Sequence, residues 1–138
     1  MWLLDTDHLS ILERGGSTAL TLQLRLGQVQ AKQLGTTIIN YEEQMRGWMS
    51  RVAQAKTPQK LVEAYARLQQ HVEAFRDTQI AAYDEQATHE FERLRQLRIG
   101  TKDKRIAAIC LARGDTLLTR NLKDFNKVPG LRAEDWSA

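Results

Sequence analysis

Cysteine is nearly missing from this chain. Cys110 stands alone, so no disulfide can form within it, and its place in an apolar helical stretch predicts a buried, unreactive thiol. Long apolar runs are missing too, and none would cross a bilayer. The residues after Met1 lack a basic n-region, and the first apolar run stops at Asp5. This argues against a secretory signal and makes the cytoplasm the expected location. There is no linker, low-complexity tract or internal repeat, so residues 1–138 are expected to form one domain. A chain of this length buries roughly 70% of its unfolded surface and needs no staples. No large excess of either charge exists: 20 Lys and Arg oppose 17 Asp and Glu, for a net +3. Arg93, Arg95, Arg98, Lys102, Lys104 and Arg105 do crowd into one stretch. That crowding can guide a polyanion, but a solvated helix face with Glu90 and Glu92 as partners explains it better.

What the chain does contain is an alternation of short strands and helices. Trp2-Leu3-Leu4 reads as a buried strand stopped by Asp5-Thr6-Asp7. A short helix follows, and Ser17 is a cap candidate for a second. Thr36-Thr37-Ile38-Ile39 is a β-branched run and reads as a strand, with Asn40 as cap of the next helix and Glu43 at the capping-box position. Tyr41, Met45, Trp48, Met49 and Val52 recur at helical spacing. Thr57-Pro58 starts a further helix, Ile80 to Tyr83 suggests a third strand, and Asp84 caps a helix carrying Ala87, Phe91 and Leu94. Asp103 to Arg113 is helical with Gly114 as its C-cap, and Thr116 to Thr119 is a strand. The remainder reads as a loop anchored by Trp136. Such alternation predicts an α/β fold, a mostly parallel sheet between helical layers, with ligands bound beyond the carboxyl ends of the strands.

Acids fall at those ends. Asp5 ends one strand, where a carboxylate packs poorly and serves a ligand well, although an Asx-turn or helix cap is the plain alternative. Asp7 either shares that work or is the cap itself. His8 reads as a polar neighbour, because Mg²⁺ prefers oxygen. Glu42 and Glu43 are nearly even by helical geometry; Glu43 shares a face with Gly47, four residues on. Asp103 opens a helix whose dipole alone can account for it, and the small Ala107 and Ala108 let that helix lie close to another element. Asn121 is a neutral oxygen ligand or a turn residue, and Asp124 a ligand through water or a cap. Thr6 and Thr119 offer hydroxyls to orient carboxylates. Carboxylates forced together repel unless a cation neutralises them, which points to Mg²⁺ or Mn²⁺ and to phosphodiester chemistry.

In that order the phrases Leu-Leu-Asp5-Thr-Asp, Ile-Ile-Asn-Tyr-Glu-Glu43, Asp103-Lys-Arg-Ile-Ala-Ala and Leu-Leu-Thr-Arg-Asn121-Leu-Lys-Asp124-Phe resemble the PIN-domain family, specifically its VapC-like ribonuclease toxins. The similar stretches are Leu3 to Ser10, Thr37 to Gly47, Ile99 to Ala112 and Thr116 to Trp136. The resemblance implies a PIN-like three-layer α/β/α fold and a Mg²⁺- or Mn²⁺-dependent endoribonuclease. Catalytic positions would be Asp5, Glu43, Asp103 and Asn121, and metal ligands Asp5, Glu43, Asp103 and Asp124. It selects Glu43 over Glu42 by the glycine four positions on. The fourth position, often aspartate in the family, is here Asn121. Also implied are an RNA substrate, a small antitoxin lodged in the acidic groove, a homodimer, and no membrane association.

Two other functions fit parts of the pattern. Asp5-x-Asp7 after a strand, with Thr119 after a later one, is similar to a haloacid dehalogenase-type phosphatase with Asp5 as nucleophile. That chemistry needs a lysine and an acidic pair beyond Thr119, for which only a short tail remains. A non-catalytic RNA- or protein-binding module, its acids kept only as caps, is the other.

Overall fold

A computed structural model describes all residues, 1–138. The order is β1 (Trp2–Leu4), α1 (Thr6–Arg14), α2 (Ser17–Leu26), a 3₁₀ turn (Ala31–Gln33), β2 (Leu34–Thr37), α3 (Ile38–Gln54), α4 (Pro58–Arg76), β3 (Gln79–Ala81), α5 (Glu85–Arg93), α6 (Thr101–Arg113), β4 (Thr116–Leu118), α7 (Leu122–Phe125) and β5 (Arg132–Glu134). The five strands form one sheet in the order β3-β2-β1-β4-β5, and every pairing is parallel. The chain builds outward from β1 to β3 on one side, then crosses to β4 on the other. The reversal of direction lies between β1 and β4, where open α/β sheets hold their ligands.

Strand alternation sorts the core into two layers, since successive side chains face opposite ways. Leu3 and Leu117 pack with Ile106, Ile109, Cys110 and Phe125 on one face. Leu4 and Leu118 pack with Ile11, Ala19, Leu22 and Trp136 on the other. Two helical layers thus enclose the sheet, giving three layers, α/β/α, as expected. In α6, Ile106 through Cys110 are all fully buried. Such a helix lies close against the sheet only because Ala107 and Ala108 are small. Gly35 meets a similar constraint in β2: a Cβ there would stand 2.7 Å from the Gln79 carbonyl oxygen of β3.

Several boundaries differ from those the sequence suggests: β3 is Gln79–Ala81, not Ile80 to Tyr83, and α6 begins at Thr101, ahead of Asp103. The β-branched run does not continue as strand: Ile38 and Ile39 already belong to α3, whose N-cap is Thr37, its Oγ1 accepting from the Asn40 amide at 3.1 Å. Tertiary packing of Ile39 overrides its preference for strand. Gly16, not Ser17, caps α2. The tail is not all loop, because Arg132–Glu134 pairs with β4 as an edge strand. Thr57, Asp84 and Gly114 do cap as expected, Gly114 at φ +72°.

Candidate metal and nucleic-acid site

The site sits at the carboxyl edge of the sheet and is built from β1 outward. Asp5 directly follows β1 and is 8% exposed. It caps α1 through Thr6, whose amide donates to Asp5 Oδ1 at 2.8 Å. The same oxygen accepts from Asn40 Nδ2 at 2.8 Å. Thr119 Oγ1, just past β4, lies 2.7 Å from Asp5 Oδ2 and donates to it. Asn40 is itself locked, its Oδ1 accepting from Thr37 Oγ1 at 2.7 Å. So the ends of β1, β2 and β4 are bolted together through one carboxylate. Burial pushes the Asp5 carboxyl above its usual range, and the nearby Asp7 charge adds to that; the Thr119, Thr6 and Asn40 donors pull it back only in part.

Asp7 is bound differently. Its Oδ1 accepts from His8 Nδ1 at 2.7 Å and its Oδ2 from the Arg120 amide at 2.9 Å. The fully buried His8 takes the Trp136 amide on Nε2 at 3.2 Å. That nitrogen therefore carries a lone pair and Nδ1 the proton. Burial raises Asp7, but the His8 and Arg120 hydrogen bonds outweigh it and hold the carboxyl below its usual range. Asp7 and His8 form a strut from α1 to the β4–α7 turn and the C-terminal segment. This weighs against the phosphatase: a general acid needs a raised pKa, and beyond Thr119 the chain supplies only α7 and the edge strand β5.

Glu43 and Asp103 approach from the helices. Glu43 lies in the second turn of α3, so Thr37, not a capping box, closes that helix; its carboxylate accepts no hydrogen bond. Burial raises it, Lys102 opposes the rise, and Asp5, Asp103 and Glu42 reinforce it. Glu42 by contrast is engaged with Arg46 Nη2 at 2.7 Å. Asp103, in the first turn of α6, is pushed up to about 6 by burial and then by the charges of Asp5, Asp124 and Asp7. Asp124 accepts from Asn121 Nδ2 at 3.2 Å and stands 3.6 Å from Lys127. Asn121 is thereby turned onto Asp124, while its amide donates to Thr119 Oγ1 at 3.0 Å.

Asp103 therefore lies within reach of the charges of Asp5 and Asp124, and Glu43 within reach of those of Asp5 and Asp103, at one edge of the sheet, although no three His, Cys, Asp or Glu side chains are gathered at ligand distance. The donor set is wholly oxygen and repels itself, which suits a hard divalent cation. Neither Glu43 nor Asp103 has a hydrogen-bond partner to give up. Sequence reasoning assigned Asn40 to a cap and so overlooked its hold on Asp5; the spacing Thr37-x-x-Asn40 is the signal that marks the true cap. The basic stretch is mostly spent locally, with Arg93 on Glu90 and Arg95 on Glu92, while Lys102 faces Glu43.

No protein-family model matches the chain. Over 60 residues it is 38% identical to the tRNA(fMet)-specific endonuclease VapC of Salmonella typhimurium, a stretch spanning 44% of this chain and 45% of that protein. Among solved structures, it superposes on a chain of VapBC-1 from nontypeable Haemophilus influenzae with a TM-score of 0.77 at 19% identity, covering 99% of this chain and 98% of the other. It also superposes on a chain of a toxin–antitoxin complex from Klebsiella pneumoniae at 0.71 and 24% identity, covering 95% of each. The chain has the PIN-like α/β/α fold of these structures, and its likeness to a VapC endonuclease by sequence spans less than half of either chain.

Proposed function

We propose that this protein is a metal-dependent endoribonuclease and the toxin half of a toxin–antitoxin pair. One observation carries the reading: the carboxylates of Asp5, Glu43, Asp103 and Asp124 gather near where β1 and β4 part, and Lys102 beside Glu43 and Lys127 beside Asp124 offset their charge only in part. Mg²⁺, or Mn²⁺ in its place, fits those oxygens and would supply charge for the scissile phosphate and acidity for an attacking water. The protein's own contribution is placement. Asp5 is held rigid by Thr6, Asn40 and Thr119. Glu43 and Asp103 supply free carboxylates, and Asn121 orients Asp124. The similarity to an endonuclease named VapC supports the activity, and the toxin–antitoxin neighbour supports the partner.

The antitoxin is proposed as a small protein, and Leu61, Val62, Tyr65 and Val72 of α4 offer it an exposed apolar surface to bury. A homodimer and a cytoplasmic site of action belong to the same reading. No helix is long and apolar enough to cross a membrane. The test is RNA cleavage by protein freed of any partner. Fragments should appear with Mg²⁺ or Mn²⁺, vanish with EDTA, and vanish in Asp5→Asn. Cleavage by Asp5→Asn at the parent's rate would remove the assignment. Release of phosphate from p-nitrophenyl phosphate, lost in the same variant, would favour the phosphatase.

A further inference from the structure

Four carboxylates repel the polyanion they are to cut, so the grip on RNA must come from cations beyond them. On α3 one line runs outward from the site. Glu43, Gly47 and Arg51 recur every four residues, on one helix face and spread over about 12 Å. Glu43, Gly47 and Arg51 line a single hollow of about 170 Å³, and Arg51 also lines the next, of about 290 Å³, with Lys60 and Arg67 of α4.

The charges there are free. Arg51, Lys60 and Arg67 have no carboxylate within 4.0 Å, unlike Arg46, Arg93, Arg95 and Arg113. Only Glu63 opposes them in the lining of that second hollow. The Arg51 guanidinium lies over the Trp48 ring, 4.3 Å from its centroid, which restrains its plane while leaving its N–H groups for a phosphate. Gly47 is the odd residue. It sits mid-helix, where glycine costs about 0.5–1 kcal/mol against alanine, and nothing lies within 4 Å of where its Cβ would be. No contact inside this chain requires it to be small, so the space it leaves is available to a ligand.

We propose that a single RNA strand leaves the carboxylate cluster along the Glu43–Gly47–Arg51 line, passing over Gly47, with its backbone phosphates held by Arg51 and Arg67 and drawn on by Lys60. This rests on the nuclease reading and names how that site takes its substrate. Extended single strands fit the groove, because its cations read phosphate and no base-edge reader is needed.

The test is fluorescence anisotropy with an RNA of roughly 15 nucleotides in EDTA, between about 50 and 200 mM salt. Arg51→Gln combined with Arg67→Gln is expected to weaken binding at least tenfold and to lower the salt slope by about 1.4, the value for two single-strand phosphate contacts. Arg46→Gln, whose guanidinium Glu42 already holds, should stay within twofold of the parent. Gly47→Leu should raise the melting temperature, through better helix propensity, and still lose RNA affinity tenfold. Parent-like affinity in the double variant or in Gly47→Leu overturns the track, and overturns it alone if the parent cleaves RNA with Mn²⁺. Loss of binding to an acidic peptide but not to RNA also overturns it, in favour of a protein partner. A parent that neither binds nor cuts RNA overturns the nuclease reading with it.

Discussion

The two sides of the acidic site are built on opposite principles. On the sheet side, Asp5 spends both oxygens on Thr6, Asn40 and Thr119, and Asp7 spends its own on His8 and Arg120. On the helix side, Glu43 and Asp103 accept no hydrogen bond and stand above their usual pKa range. The first side is complete in the folded chain. The second keeps unfavourable charge that Lys102 offsets only in part and that an added cation would relieve. If these carboxylates hold a cation as proposed, Asp5 would give its site a fixed origin, and Glu43 and Asp103 a side that answers to occupancy.

The largest effect that would break this contrast is catalytic. Asp5→Asn and Asp103→Asn should each lower RNA cleavage by about a thousandfold or more, as expected when a metal ligand or a buried electrostatic group is lost. Asp5→Asn is the sharper probe of chemistry. Its amide oxygen can keep the Thr6 and Asn40 bonds while its nitrogen donates to Thr119 Oγ1, so the fold should survive. Single-turnover rates with Mn²⁺ decide it, and a loss confined to one of the two variants would mean that the sides do not share a metal.

Stability should separate the sides by sign. Asp5→Ala removes the shared acceptor of Asn40, Thr6 and Thr119, leaving Asn40 only Thr6 Oγ1 and Thr119 only Asp7 Oδ2, and should cost about 1–3 kcal/mol, lowering the melting temperature by roughly 5 °C. Asp103→Ala removes repulsion and should raise it in EDTA. Melting curves that move the same way for both variants would erase the contrast.

Next in size is the response to pH and metal. With its folded pKa near 6 against 3.8 unfolded, Asp103 makes the native state bind the extra proton between those values. Its contribution is therefore favourable at acid pH and is lost as pH rises from about 4 to about 6. Metal-free protein should lose stability across that window, and Asp103→Asn should flatten the loss. Mn²⁺ at about a hundredfold over Kd should add about 2.7 kcal/mol, and more at pH 7.5 than at pH 5.5, where protons compete for the same carboxylates. A metal-induced shift independent of pH would place the ion elsewhere.

Much of this site was legible because its residues punctuate regular elements. Asp5 ends an apolar run, Thr119 ends another, and Gly114 stops α6 where a left-handed residue is needed. What escaped was set by tertiary contact. Thr36-Thr37-Ile38-Ile39 has the composition of one strand, yet the helix begins inside it once Ile39 enters the core and Thr37 caps. Asn40 gained its place on Asp5 from that shift. Arg132–Glu134 has no apolar run to announce it and becomes strand only because β4 offers an edge. The free cations of α3 and α4 look, in sequence, like any solvated helix face; only their shared groove distinguishes them. Of the crowded cations before Asp103, Arg93 and Arg95 pair with Glu90 and Glu92, as the solvated-face reading expected.

The smallest expected effect is also the finest discriminator, because Glu42 and Glu43 are adjacent and chemically identical. Glu42 is 39% exposed and ion-paired with Arg46 at four-residue spacing, an arrangement worth about 0.3–0.5 kcal/mol. Glu42→Gln should therefore change the melting temperature by about 1–2 °C at most and leave cleavage within about twofold. Glu43→Gln should lower cleavage by about a hundredfold or more while raising metal-free stability, since burial and the charges of Asp5, Asp103 and Glu42 outweigh its attraction to Lys102. If Glu42→Gln carries the catalytic loss instead, α3 presents a different face to the sheet edge than the one bolted by Asn40, and the line from Glu43 through Gly47 no longer points from the metal.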